Sequence, residues 1–115
     1  MKKCFKCSQG TDPASVQAVA GDIIYINQNP HAYVRGKDGE NVALDKVYVK
    51  LEKQTRPEGS LNKCLKIPYK IELEQVESKP GDIIYRSGDD YVYLHEEDEK
   101  GEKKYIPIQK EHYYA

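Results

Sequence analysis

The sequence predicts an all-β protein built as two small barrels in tandem, the second a copy of the first. Three observations carry this expectation. The pentapeptide GDIIY stands at 21–25 and again at 81–85. No window of a dozen residues keeps apolar side chains at helical spacing, whereas short runs rich in Val, Ile and Tyr recur between clusters of Gly, Pro, Asn and Asp. Ten tyrosines without a single tryptophan suit half-buried strands.

The repeat extends beyond the pentapeptide. Sliding the chain along itself by 60 positions pairs Lys3-Cys4-Phe5-Lys6 with Lys63-Cys64-Leu65-Lys66, Val16 with Val76, Tyr33 with Tyr93, Asp38 with Asp98 and Lys50 with Lys110. That makes 12 identities in the 53 pairs from Lys3 to Thr55. Unrelated sequences of ordinary composition match at roughly one position in sixteen, so about three were expected. A fixed-offset repeat decides the domain count before any other signal. The chain therefore reads as a first unit at 1–55, a linker at 56–61 carrying Pro57, Gly59 and Ser60, and a second unit at 62–115. Units this short bury only about 60% of their unfolded surface, so the two are expected to pack against each other.

The elements follow in order. KCFK and KCLK open the units as first strands, each followed by a long loop. In LKIPYKIEL (65–73) apolar and polar residues alternate strictly, which predicts a strand through the whole segment. In GDIIY, Gly permits a positive φ, Asp hydrogen-bonds nearby backbone, and IIY supplies a buried strand. HAYVR (31–35) and YVYLH (91–95) are the next strands. Turns at 36–40 and 97–102 precede closing strands in 42–52 and 104–110.

Charge is uneven. The chain carries a net −1, made of +3 over residues 1–56 and −4 over 57–115. Neither half has the basic excess that marks a nucleic-acid binder by itself. No apolar run is long enough to span a membrane, and no apolar signal segment follows the N-terminal lysines, so a soluble cytoplasmic protein is expected. An odd count of three cysteines fits a reducing compartment.

The order of strands, long loop, GDIIY, aromatic strand and hairpin resembles the Src-homology-3 type of small barrel. Val16 and Val76 stand where that family has a buried Leu before its G-D-x-I pattern. ALDKVYVKL (43–51) and YIP (105–107) are similar to its closing segment. The resemblance implies a peptide groove at the start of the third strand, where Tyr33, or Tyr91 with Tyr93, replaces the family's tryptophan, and where Pro107 matches its groove proline. Tyr69 is a faint echo of its A-L-Y-D-Y signature. Tudor-like and KOW-like modules share the barrel shape. A second resemblance is to the AbrB-type swapped hairpin, since Ile67-Pro68 followed by Lys79-Pro80-Gly81-Asp82 is similar to its I-P-x-x-I…K-P-G-D. That family has a short helix between the two motifs, where the alternation in KIELE predicts a strand.

Cys4-Phe5-Lys6-Cys7 is half of a zinc motif. Cys64 and one of His31, His95 or His112 would have to complete it. The repeat matches Cys4 with Cys64 but Cys7 with Ile67, which reads as small apolar residues on a first strand, so neither metal nor cofactor is expected. No nucleophile, base and orienting acid assemble, and His95 and His112 read as exposed strand-end histidines. The acidic run 96–99 reads as a solvated hairpin tip. The candidate binding residues are Tyr91, Tyr93, Pro107, Tyr69, Tyr113 and Tyr33, with Tyr114 beside Tyr113, because aromatics with a polar tip are enriched at interfaces. The expected function is non-enzymatic binding of another protein, as an adaptor or small inhibitor. The alternative is nucleic-acid binding by the first unit, with Arg35, Lys37, Lys46 and Lys50 on phosphates and Tyr33 stacking on a base.

Overall fold

In the computed structural model, which describes residues 2–50, 56–59 and 62–113, eight strands run in sequence order around one closed barrel. They are β1 (Lys3–Cys7), β2 (Ile23–Ile26), β3 (His31–Arg35), β4 (Asn41–Tyr48), β5 (Lys63–Ile67), β6 (Ile83–Arg86), β7 (Tyr91–Glu97) and β8 (Lys103–Tyr113). The pairings β1–β2, β4–β5, β5–β6 and β8–β1 are parallel; the hairpins β2–β3, β3–β4, β6–β7 and β7–β8 are antiparallel. The all-β expectation stands, and so does a small barrel. The expectation of two barrels does not: the first four strands and the last four are halves of one sheet.

The physical reason lies at the strand edges. Each half is a four-stranded sheet, β1 to β4 or β5 to β8, with two open edges. Pairing β4 with β5 and β8 with β1 satisfies both edges at once. It also lets the halves share one interior, which holds Cys4, Ile23, Tyr25, Ala32 and Leu44 together with Cys64, Ile83, Tyr85, Val92 and Ile108. Two smaller clusters lie outside the barrel under the long loops. One gathers Cys7, Val16, Ile24 and Ile26, the other Leu65, Ile67, Ile71, Val76 and Ile84. Burying each such Ile or Leu side chain is worth about 1.5–3 kcal/mol.

The repeat is visible in the register. Cys4 faces Ile23 as Cys64 faces Ile83, and Tyr25 faces Ala32 as Tyr85 faces Val92. Beyond the second hairpin the equivalence shifts. The β7–β8 arm reaches Glu97 opposite Lys103, whereas β3–β4 stops at Arg35 opposite Asn41. Leu44 and Ile108 hold matching places opposite Ala32 and Val92, an offset of 64. The sequence identity Lys50–Lys110 is therefore a coincidence of the ungapped alignment, and the counterpart of Lys110 is Lys46.

GDIIY is the splice that joins the first two strands of each half. Gly21 and Gly81 both adopt φ +93°, a conformation that disfavours any side chain. Asp22 and Asp82 are buried. The Asp22 carboxylate accepts the Lys3 and Val19 amides at 3.0 and 2.9 Å; that of Asp82 accepts Lys63 and Lys79 at 2.9 and 3.1 Å. In the second half Arg56 adds an ion pair to Asp82. The strand predicted through 65–73 ends at Ile67, before Pro68, which lacks the N–H a continuing strand would need. Beyond it Leu73–Gln75 form a 3-10 turn capped reciprocally by Glu72 and Gln75. A short helical turn thus stands between Ile67-Pro68 and Lys79-Pro80-Gly81-Asp82, and the reason for preferring a strand there is gone. Of the linker, residues 60 and 61 lie outside the described residues, as does Tyr114.

Candidate functional site

Tyr91 and Tyr93 stand two apart on β7 and so share the outer face of the barrel. Across the ladder Tyr93 faces Pro107 and Tyr91 faces Gln109. The two tyrosines differ in freedom. The Tyr93 hydroxyl donates to Asp89 Oδ2 at 2.9 Å, and the same oxygen pairs with Arg86 at 2.8 Å. Burial pushes the Asp89 carboxyl up, but hydrogen bonds from Arg86, the Tyr91 amide and Tyr93 outweigh it and hold it below its ordinary value. Tyr93 is thereby wired into the turn that starts β7. Tyr91 is 42% exposed, and its side chain is not held in this way.

Beside Tyr91 runs a groove of about 720 Å³ lined by Pro107, Ile106 and Leu94, with Lys2, Lys3, Glu96 and Glu111 around it. Ile106 is 37% exposed, and Lys3 pairs with Glu111 at 3.3 Å. Three of the expected binding residues therefore sit on adjacent strands, and two of them line one groove. The other three do not join them. Tyr69 is exposed, with its ring against Gly88 in the turn between β6 and β7. Tyr33 and Tyr113 pack on the outer cluster of the first half, where Tyr113 meets Phe5 edge-on at 6.3 Å and donates to the Ser15 carbonyl at 2.9 Å.

The chain matches no protein-family model, no curated protein and no solved structure.

The residues expected to hold phosphates around Tyr33 on the first half do not gather there. Arg35 donates to the Pro13, Val16 and Ala18 carbonyls and to Asn41, lacing the long loop to β3. Lys46 extends over the Tyr25 ring and donates to the Ile26 carbonyl. Only Lys37 and Lys50 of that set are exposed.

Cys4 and Cys7 cannot act as one chelate. Three residues apart on a strand, they point to opposite faces, Cys4 into the barrel and Cys7 into the outer cluster. Among the described residues no group of three or more His, Cys, Asp and Glu side chains is placed to hold a metal ion. Burial pushes the Cys64 thiol up to about 12 and raises Cys4 and Cys7 as well.

His95 corrects another expectation. It is fully buried rather than an exposed strand-end residue. Its Nδ1 lies 2.6 Å from Ser78 Oγ. Among the described residues its Nε2 and the nearby Tyr105 hydroxyl have no hydrogen-bond partner, and Glu97 stands 3.9 Å from Nε2. Burial and the Lys103 charge hold the imidazole below its ordinary value, which keeps it neutral. Ser78, His95 and Glu97 have the residue types of a hydrolytic triad, yet Arg35 holds the place of His95 in the first half and ties down the matching loop. The Ser78–His95 bond performs the same tie with a shorter side chain. The offset of 60 already aligned Arg35 with His95; it lacked the burial that makes the pair meaningful.

Proposed function

We propose that this protein is a non-enzymatic binding module that takes a segment of another protein in the groove beside the β7–β8 arm. One observation carries the reading: Tyr91, Pro107 and the exposed Ile106 converge on a single groove with charged residues around it. Aromatic and aliphatic anchors ringed by charge are the composition of interface hot spots. The Src-homology-3 likeness supports the position, since Tyr91 starts the strand where that family has its groove aromatic. Free thiols at Cys4, Cys7 and Cys64 support a cytosolic setting. Nucleic-acid binding by the first half is the weaker reading, because Arg35 ties down the long loop and Lys46 lies over Tyr25 on the inner side of the sheet, whereas Tyr33 packs on the outer cluster.

The test uses a double variant, Tyr91→Ala with Ile106→Ser, and leaves Tyr93 in place because it is structural. Proteins retained by the wild type from host extract are identified, and their affinity for both forms is measured. The variant is expected to lose about 2 kcal/mol or more with an unchanged circular dichroism spectrum. Equal affinity of a folded variant removes the groove from the binding site.

A further inference from the structure

The two ends of the barrel differ. At one end Ile23, Val34, Val42, Ile83, Leu94 and Ile108 line an apolar opening of about 240 Å³. The other end is closed by a four-layer stack. Lys46 Nζ lies 3.7 Å from the Tyr25 ring centre, Tyr25 and Tyr85 stack at 3.9 Å, and Lys110 Nζ lies 3.9 Å from the Tyr85 ring centre. Each of these ammonium groups also donates to a backbone carbonyl, Lys46 to Ile26 and Lys110 to Arg86.

Two more lysines join them. Lys6 faces Tyr25 and Lys66 faces Tyr85 in the parallel ladders, so all four share the inner side of the sheet at this end. The set obeys the internal symmetry, Lys6 matching Lys66 and Lys46 matching Lys110. All four are partly buried. Among the described residues none of the four forms an ion pair with a carboxylate. Asp89 and Asp90 act on Lys110 at longer range.

A structural plug does not require this. Concentrating four like charges on a shared interior costs stability unless each charge is paired. The arrangement makes sense when an anion supplies the missing charge. Burial first, and then Lys66 beside Lys46 and Lys6 beside Lys110, lowers the proton affinity of both central lysines.

We propose that this end of the barrel binds a small polyanion bearing two or more phosphoryl groups, held on the axis that relates the two halves by Lys6, Lys46, Lys66 and Lys110. Lysine suits it as a point-charge donor to phosphoryl oxygens. The two-fold arrangement of the lysines asks for charge on both sides of the axis, which one orthophosphate does not provide. A compact anion is favoured over nucleic acid because residues 57–115 carry −4 and Asp89 and Asp90 act on Lys110, which repels an extended phosphate chain.

The experiment is isothermal titration and thermal melting of the full chain with sodium tripolyphosphate at low salt. Orthophosphate and a single-stranded oligonucleotide serve as comparison ligands. Tripolyphosphate is expected to bind, to raise the melting temperature and to weaken with added salt. Lys46→Met with Lys110→Met, which keeps the apolar stems, is expected to reduce affinity at least about tenfold. Lys6→Gln with Lys66→Gln, on the outer pair, should do the same and serves if the first variant does not fold. Absence of binding by the wild type, or binding untouched in both folded variants, overturns the site. Equal affinity for orthophosphate, or tighter binding of the oligonucleotide, overturns the assignment to a small polyphosphoryl anion. None of these outcomes bears on the groove at Tyr91, which is lined by none of the four lysines.

Discussion

Tyr25 and Tyr85 stack face to face inside the barrel, with ring centres 3.9 Å apart and planes 13° from parallel. They are the same residue of the repeated pentapeptide, one from each half, and each is only 4% exposed. The contact exists because the halves close one barrel. In two separate barrels these rings would lie in different cores.

Unfolding should accordingly be a single transition. Neither half has a complete interior, so residues 1–55 or 62–115 expressed alone are expected to remain largely unfolded and to regain β-structure when mixed. Circular dichroism of the separate and combined fragments checks this. Tyr85→Ala in the full chain should cost about 3–5 kcal/mol in urea denaturation. Two resolved transitions, or independently folded fragments, would contradict the shared core.

Asp22 and Asp82 anchor the same turn in the two halves, but only Asp82 carries the Arg56 ion pair, with 8% and 0% of the two side chains exposed. Removing Asp82 strands buried donors and a buried cation together. Asp82→Ala is expected to cost about 3–5 kcal/mol and Asp22→Ala about 1–3 kcal/mol. Chemical denaturation of the two variants side by side gives the comparison; a larger loss at Asp22 would mean the Arg56 pair contributes nothing.

His95 should make the fold acid-sensitive. Its folded-state proton affinity lies below the ordinary value, so the unfolded chain binds the proton more readily. Stability from this group is present above its unfolded pKa of about 6.5 and is lost as pH falls through the lower folded value. Melting temperature should thus decline from pH 7 to pH 5 more steeply in the wild type than in His95→Gln. Parallel pH profiles would assign the acid sensitivity to other groups.

The three thiols should be inert while the protein is folded. Cys4 and Cys64 are sealed in the interior and burial raises their pKa values, so little thiolate forms near neutral pH. A chromogenic disulfide reagent is expected to react only at the rate of unfolding, and with all three residues at once. Cys4→Ala and Cys64→Ala should each cost about 1–2 kcal/mol through lost packing. Fast labelling of one cysteine in native buffer would show an opening of the barrel that the structure lacks.

Local facts were legible in the residues alone. The GDIIY turns, the strands at 31–35 and the duplication follow from short-range chemistry: a glycine at φ +93°, an aspartate capping nearby amides, and β-branched runs with period two. Alternation puts Tyr91 and Tyr93 on one face, and the Src-homology-3 resemblance points to Pro107, which the ladder sets opposite Tyr93. What the sequence left open was decided by pairing between distant strands. A β1 edge can close on its own half or on the other, and the same alternating residues serve both; the shared interior settles it in favour of one barrel. The same closure made His95 a buried residue, withdrew Lys46 from the surface, and gathered four lysines around two stacked tyrosines, because burial and charge proximity depend on which strands become neighbours.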